Sequence, residues 1–262
     1  MLAEPARTPY DVKFRFLGFP VRIHPFFWLT SLLTYRAGGG DLWPAFIWAG
    51  VVFVSILIHE TGHALAARAC RERPWIVLHG MGGLCVHEGR FLTISERLLI
   101  AFCGPGAGFI LAAIVFVFGY IAIGVRPLDV LALYDIGPGD VDAAFASLRR
   151  LPYVGYLVFV QMIWVNLCWG LVNLLPIWPL DGGQMSEALF ERSGANAPMR
   201  STHILSIATA ALMAIVGLVR KDEFLLIFFL IFAAYNFYML RATGGYGGYR
   251  TERDPADWWK SK

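Results

Sequence analysis

The chain has 262 residues, of which 57% are hydrophobic and 16% are charged. A soluble domain carries about 25% charged residues, so this composition excludes an ordinary soluble fold and indicates a membrane protein with several spans. The formal net charge of +3 is too small to indicate a nucleic-acid partner. The cysteines show no Cys-x-x-Cys spacing and therefore predict neither a disulfide framework nor a cysteine zinc site. They are Cys70, Cys85, Cys103 and Cys168.

The first recognisable element is the segment VKFRFLGFPVRI, residues 12–23. Val12, Phe14 and Phe16 alternate along it, which is typical of a strand in a small β-hairpin. An apolar run at 25–35 follows and is the first of six candidate membrane spans. This run is short, since about 20 residues are needed to cross the hydrocarbon core.

The second span, residues 42–69, contains the stretch SILIHETGHALAARA. Polar and charged side chains inside a membrane helix are costly and usually mark function. His59 and His63 are four positions apart and therefore share one helical face, as in the His-Glu-x-x-His pattern of zinc sites. The alternative is a pair of structural histidines bonded to nearby carbonyl groups, but it would leave Glu60 without a partner in a low dielectric.

The next segment, WIVLHGMGGLCVH at 75–87, is a β-branched run interrupted by Gly80, Gly82 and Gly83. It predicts a second small hairpin at the membrane surface. Either hairpin could present an exposed strand edge to an extended peptide.

The third span, residues 94–125, opens with FCGPGAGF. Gly104 and Gly108 lie four apart and form a small-xxx-small surface that permits close helix contact. We expect it to seat this span beside the helix with the two histidines, and helix packing alone is sufficient reason for the glycines.

The fourth span, residues 153–176, ends in NLLPIWPLDGG, residues 173–183. Pro176 and Pro179 must break the helix there, and non-helical backbone at membrane depth is tolerated only where it is buried or lines a wet cavity. Asp181 is therefore expected to face such a cavity. Its alternative role is that of a turn residue before two glycines.

The last spans are predicted at 203–219 and 223–240, followed by a Gly-rich and then charged tail. The predicted fold class is thus an all-α polytopic membrane protein with about six transmembrane helices and small membrane-associated β-hairpins. If the flanks alternate from a cytoplasmic N-terminus, most of the 22 Lys and Arg residues lie inside. The positive-inside rule then places both termini in the cytoplasm. The outer side holds Arg36, Arg126, Arg149, Arg150, Arg220 and Lys221.

In this arrangement the second and fourth spans run in the same direction, and each carries its polar motif late. The two motifs therefore reach a similar depth, so His59, His63 and Asp181 are predicted to bind one Zn²⁺ ion. Catalytic zinc normally has three protein ligands and an open fourth position. Because three are already available, His79 and His87 are not expected to be ligands.

Two asparagines lie seven positions apart on one face of the fourth span, Asn166 and Asn173. Each could be a hydrogen-bonding contact between helices or a group that binds substrate. Asn173 is the better candidate for substrate binding because it is close to the helix break.

With HETGH, the GPG segment and NLLPIWPLDGG in this order on these spans, the chain resembles the site-2 protease family of intramembrane zinc metalloproteases. The resemblance covers about residues 21–185. It implies His59, His63 and Asp181 as zinc ligands and Glu60 as the catalytic general base. It also makes HGMGGL resemble the family's membrane-re-entrant loop, so that Gly82 and Gly83, with Asn173, become candidate substrate-binding residues.

Two positions depart from the family pattern. Trp178 stands where a second proline is usual, and Gly108 stands where asparagine is usual. The metal-binding residues are intact, and the departures concern the substrate-facing geometry. The implied function is cleavage of a transmembrane segment in a single-span membrane protein, by zinc-activated water.

The predicted organisation has four parts and places the protein in the cytoplasmic membrane, in contact with the lipid bilayer. Residues 1–23 form a cytoplasmic N-terminal segment, 24–185 the intramembrane metalloprotease core, 186–241 an additional transmembrane hairpin, and 242–262 a flexible cytoplasmic tail. Two other functions stay open. One is a catalytically silent membrane adaptor, against which the intact Glu60 argues. The other is a metal transporter, which would need polar ligands at several depths.

Overall fold

A computed structural model describes residues 4–33, 35, 42–88, 92–134 and 138–245 of the chain. Most of the predicted tail lies outside the described residues. The chain divides into two compact units. The first comprises Met1–Leu175 and Pro179–Met185, and the second comprises Pro176–Trp178 and Ser186–Lys262.

The described residues contain five segments that are long and apolar enough to cross a membrane: Trp43–Ala69, Ile94–Ile123, Tyr153–Asn173, Pro198–Val219 and Glu223–Ala242. They confirm the predicted fold class. The first apolar run forms helix α1, Pro25–Leu33. At 1.5 Å per residue its nine residues extend about 14 Å, which is too short to cross a bilayer.

The remaining helices follow the predicted spans closely. The second is α2, Leu42–Ala69, and the third is α3, Ile94–Ile123. The span Tyr153–Asn173 is built from three consecutive pieces, and shorter helices connect the spans. These elements are α4 (Pro127–Ala132), α5 (Val141–Leu148), α6 (Tyr153–Trp164), a π-helical turn (Val165–Trp169), α7 (Gly170–Asn173), α8 (Asp181–Arg192), α9 (Pro198–Val219) and α10 (Glu223–Gly245).

The two predicted hairpins join into one four-stranded sheet. Its strands are β1 (Val12–Phe16), β2 (Phe19–Ile23), β3 (Arg73–His79) and β4 (Gly82–Glu88), in the order β1-β2-β3-β4. Each hairpin is antiparallel, whereas β2 and β3 pair in parallel with Val21 opposite Ile76. Strand β3 is therefore an inner strand, and β1 and β4 form the edges.

The sheet packs against α1 and α2 in the first unit. Ile76 and Leu78 of β3 are fully buried, together with Val21 of β2 and Phe27 of α1. They meet an apolar face of α2 that includes Ile56. This packing fixes the sheet beside the second half of α2, where the two histidines lie.

Helices α2, α3 and the π-helical turn are in close contact. A Cβ atom on Gly62 would overlap the backbone carbonyl of Cys103, so the two helices can approach this closely only because residue 62 is glycine. Seven residues before Gly62 on α2, Ser55 Oγ accepts a hydrogen bond from the Asn166 side chain at 2.9 Å. The structure thus shows Asn166 as a hydrogen-bonding contact between helices.

In the second unit, α9 and α10 hold the peptide that leads to the Asp181 motif. The Asn236 side chain donates to the Trp178 carbonyl at 2.7 Å, and Ser206 Oγ accepts from the Trp178 N–H at 2.9 Å. His203 Nδ1 lies 2.8 Å from Asn236 Oδ1. Because backbone freed by a proline break needs new partners inside a membrane, these buried side chains satisfy it.

Candidate active site

The site is formed where the second half of α2 meets the start of α8. His59 and His63 extend from α2, and Asp181 is the first residue of α8. His59 Nε2 lies 3.1 Å from Asp181 Oδ2, and His63 Nε2 lies 3.3 Å from Asp181 Oδ1. All three residues are buried.

The helix break brings Asp181 to this position. Helix α7 ends at Asn173, and α8 begins after a non-helical stretch that contains both prolines. A Cβ atom on Gly182 would overlap the carbonyl groups of Leu174 and Leu175. The glycine after Asp181 therefore allows the start of α8 to fold tightly against the end of the span.

The orientation of His63 is set by a backbone group of α3. His63 Nδ1 lies 2.7 Å from the carbonyl oxygen of Ile100. Because a carbonyl oxygen can only accept, Nδ1 must carry the proton, which leaves the lone pair of Nε2 directed at Asp181. Such a hydrogen bond on the far nitrogen is the usual support of a metal-ligating histidine.

The donor set fits a zinc ion. His59 Nε2 and His63 Nε2 are 3.2 Å apart, a separation at which two facing lone pairs repel unless a proton or cation lies between them. One donor atom from each of His59, His63 and Asp181 lies within 4.8 Å of the other two. Two imidazole nitrogens and one carboxylate oxygen are ligands that zinc favours, and three protein ligands leave a position open for catalysis.

The electrostatics of Asp181 also favour a cation. Burial alone would raise the pKa of this carboxyl group, but positive charge on the neighbouring His63 and His59 outweighs burial and holds its pKa well below the usual range. Asp181 is therefore an ionised carboxylate, although the residue is only 8% exposed.

Glu60 is buried beside the three donors, between α2 and the start of β4. Its carboxylate interacts with the backbone N–H of Cys85. A Cβ atom on Gly83 would overlap the same carboxylate, so glycine is required there.

Burial, together with the Glu60 and Asp181 carboxylates, strongly raises the pKa of the Cys85 thiol. Cys85 is therefore a neutral thiol in this environment.

The other residues that the sequence singled out lie on α3, α7 and β4. Gly104 lies directly against the His63 ring, which a Cβ atom at residue 104 would overlap. Asn173 is buried at the end of α7, and Gly82 begins β4. His87, on β4, has its Nδ1 atom 3.8 Å from Glu72 Oε2.

Sequence patterns did not indicate two supports of the site, the Ile100 carbonyl and the Cys85 N–H. Both are backbone groups, which every residue type has, so their roles depend on packing alone. His79 and His87 stay outside the one group of three potential metal ligands found among the described residues.

The site combines a His-Glu-x-x-His helix with a distant aspartate, and it lies among apolar helices long enough to span a bilayer. These features define the membrane-embedded class of zinc metalloproteases. Comparisons with known proteins agree. The Peptidase family M50 model matches residues 47–216. The chain therefore belongs to Peptidase family M50, and it is an integral membrane protein.

Individual relatives include proteins from bacteria and archaea. Rip3 of Mycobacterium tuberculosis, which is named as a zinc metalloprotease, is 31% identical over 69% of this chain and 44% of its own length. A zinc metalloprotease of Methanocaldococcus jannaschii is 25% identical over 83% of this chain and 57% of its own. The chain thus spans about half the length of these relatives.

Among solved structures, the site-2 protease from Methanocaldococcus jannaschii has the same fold. The TM-score is 0.55, and the match covers 88% of this chain and 95% of the other at 19% sequence identity. The similarity supports the arrangement of spans described above.

Proposed function

We propose that the protein is an intramembrane zinc metalloprotease that cleaves a transmembrane segment of a single-span membrane protein. One observation carries the proposal. The donor atoms of His59, His63 and Asp181 converge beside the Glu60 carboxylate, and three of these residues belong to a helix of membrane-spanning length and apolarity. A buried glutamate next to a metal-ligand group, inside an apolar span, is too costly to be an ordinary packing feature.

Each of the four residues has a chemical role. Zinc bound to His59, His63 and Asp181 would supply Lewis acidity. It would polarise a peptide carbonyl and lower the pKa of water, so that the water can lose a proton and attack near neutral pH. Glu60 takes a proton from the attacking water and passes it to the leaving amide nitrogen. Glu60 is suited to this role because it is held beside the metal ligands and is only 5% exposed.

The surroundings keep Glu60 in position. The Cys85 N–H interacts with its carboxylate, and the backbone of Gly83 lies directly against it. Because the base is already oriented, proton transfer carries no further cost for positioning it. Strand β4 therefore contributes to catalysis through backbone groups, without a catalytic side chain.

Strand β4 is also the proposed binding edge for the substrate. A transmembrane helix hides its amide groups in internal hydrogen bonds, so the scissile region must unwind and find new partners. An edge strand offers those partners. Of the two edges of the sheet, β4 is the one that adjoins Glu60, through Gly83 near its start. Asn173, buried at the end of α7, is a further candidate contact.

Topology and location belong to the same proposal. The distribution of basic residues favours insertion into the cytoplasmic membrane, with both termini in the cytoplasm if the chain before α2 supplies a sixth crossing in addition to the five described spans. The catalytic core would comprise residues 24–185, and residues 186–241 would form an additional hairpin of two membrane helices.

The alternative functions receive less support. A metal transporter would need ligand groups at several depths, whereas the described residues contain one such group of three or more His, Cys, Asp or Glu residues. A silent adaptor has no use for a buried glutamate beside the metal ligands.

The test compares Glu60→Gln with the native protein in lipid vesicles that contain single-span reporter proteins tagged on both sides. Loss of a general base typically costs about 10²-fold to 10⁴-fold in rate, so cleavage should fall by that factor while bound zinc is retained. Glu223→Gln, which removes an exposed carboxylate at the start of α10, is the control and should cleave normally. Equal cleavage by native protein and Glu60→Gln would contradict the mechanism.

A further inference from the structure

A cleft lined by basic residues lies at the end of α2, away from the metal ligands. The cleft of about 970 Å³ is enclosed by the end of α2, the β1–β2 turn and the start of β3. Its volume is within the range of small-molecule sites. Four arginines line it, accompanied by the aromatic residues Phe19 and Trp75; the arginines are Arg15, Arg68, Arg71 and Arg73.

The cleft has an excess of positive charge. In the part of the chain that the structure describes, none of Arg15, Arg68 and Arg71 forms an ion pair with a carboxylate. The one carboxylate in the lining, Glu72, lies 3.8 Å from His87 Nδ1. Arg73 faces Glu88 across the β3–β4 ladder, so the excess rests on the other three arginines.

One of these guanidinium groups is held in place by an aromatic ring. The Arg68 guanidinium carbon lies 4.5 Å from the centre of the Phe19 ring. This cation–π contact fixes the group without neutralising its charge. The side chain is therefore already ordered for an anion.

The backbone conformation at Arg71 allows the side chain and the backbone to be tested separately. Arg71 has φ +66° and follows the end of α2, where Glu72 N–H bonds to the Ala67 carbonyl. Helices that end in this way usually have glycine at the left-handed position, as α8 has at Gly194. Lys221 has the same conformation after α9, so what distinguishes Arg71 is that its side chain lines the cleft.

We propose that this cleft binds a phosphate group, and that its usual source is the headgroup of an anionic phospholipid. Arginine forms paired hydrogen bonds to phosphate oxygens, which gives geometric selectivity as well as charge attraction. The cleft lies where an apolar span ends, which is the depth of lipid headgroups. Basic pockets at such positions are suited to anionic lipids.

A simpler explanation is that these arginines only add to the positive charge at the membrane surface. If that explanation holds, lipid binding depends only on the total charge. If the cleft is a binding site, lipid binding depends on which arginines are removed. Arg192 and Arg200 are exposed and outside the cleft, so Arg192→Gln/Arg200→Gln matches Arg68→Gln/Arg71→Gln in charge.

A second pair of variants separates the charge from the backbone. Arg71→Gly removes the guanidinium and relieves the left-handed conformation, so this variant should fold at least as stably as the native chain. Lys221 provides the control, because it has φ +55° at the equivalent position after α9, where Asp222 N–H bonds to the Gly217 carbonyl. Lys221→Gly makes the same backbone change without touching the cleft.

The experiment uses the full chain in a neutral detergent and titrates three probes: short-chain phosphatidylglycerol, short-chain phosphatidylcholine and inorganic phosphate. The rise in melting temperature and the lipid retained in native mass spectrometry are measured. Phosphatidylglycerol should act at lower concentration than phosphatidylcholine. Arg71→Gly and Arg68→Gln/Arg71→Gln should each weaken its effect about tenfold or more, because charge-assisted hydrogen bonds are lost. Lys221→Gly and Arg192→Gln/Arg200→Gln should respond as the native chain does.

The outcomes distinguish the two sources. If phosphatidylglycerol binds and inorganic phosphate competes with it, the site takes a phosphate from lipid. If inorganic phosphate alone stabilises the chain, and Arg71→Gly abolishes that effect, the cleft is a phosphate site with a soluble source. No stabilisation by either probe, or equal responses of the cleft variants and their controls, would overturn the proposal. Because neither readout requires proteolysis, the result is independent of the proposed catalytic function.

Discussion

His59 Nε2 lies 3.1 Å from Asp181 Oδ2, although the two residues are 122 positions apart in the chain. This contact joins two motifs that have no regular spacing in sequence. It requires the fourth predicted span to break at its prolines and α8 to begin beside α2. The metal site is therefore a product of the fold of the first unit, and disrupting either motif should disrupt it.

Removing the carboxylate of Asp181 should remove the metal. Native protein purified in detergent should contain about one zinc per chain, as expected of a three-ligand catalytic site. Asp181→Ala should lose most of this zinc, whereas Asp142→Ala, an exposed carboxylate on α5, should keep it. Elemental analysis measures both. Folded native protein that binds no zinc would contradict the assignment of His59, His63 and Asp181 as ligands.

A methyl group at residue 104 should disturb His63. Because the Cβ atom would overlap the imidazole ring, Gly104→Ala must turn His63 away from the Ile100 carbonyl or separate α2 from α3. We expect zinc affinity to fall about tenfold or more, the usual effect of losing support around a metal ligand. Gly106→Ala is the control, since its nearest neighbour, Phe102, is 3.9 Å away. Competition with a fluorescent chelator gives the affinities, and equal values for the two variants would refute the close contact.

A methyl group at residue 83 should act on the base and leave the metal in place. Gly83→Ala would displace the Glu60 carboxylate, so cleavage should fall about 10²-fold or more while zinc content is unchanged. Gly50→Ala, on the same helix as Glu60 and with nothing within 4 Å of the added atom, should have normal activity. The measurements are reporter cleavage and elemental analysis. Zinc loss in Gly83→Ala would show that the strand supports the ligands and not the base.

The N-terminal segment before β1 should contribute a pH-dependent stability. Hydrogen bonds from Thr8 at 2.6 Å and from Arg22 at 2.9 Å hold the pKa of Asp11 well below its ordinary value. The folded-state pKa of Asp11 is lower than its unfolded value of about 3.9. The stabilisation from ionised Asp11 is therefore complete above about pH 3.9 and declines as the pH falls below it. The melting temperature of Asp11→Asn should be lower than that of the native chain at pH 7, and the difference should shrink at pH 3. A difference that does not vary with pH would contradict this linkage.

Several features of the fold followed from the sequence for physical reasons. Long apolar runs must become helices in a bilayer because every backbone group needs an internal partner, so the spans were predictable from composition alone. Both hairpins were predictable from alternation and glycine. The parallel pairing of β2 with β3 was not, because the strands are distant in sequence and their register depends on packing against α1 and α2. Helix α1 also differs from a full span, since its run of apolar residues is too short.

The chemistry of the site follows from local sequence. Two histidines four apart share a helical face by the geometry of the helix, and a glutamate between them in an apolar run requires a function. The groups that surround these residues are set by the packing of distant segments. They are the Ile100 carbonyl, the Cys85 N–H and the backbone of Gly83 and Gly104. The same packing makes arginines from three segments line one cleft. Local patterns fix what a residue can do, whereas contacts between distant segments depend on how all the apolar surfaces are buried together.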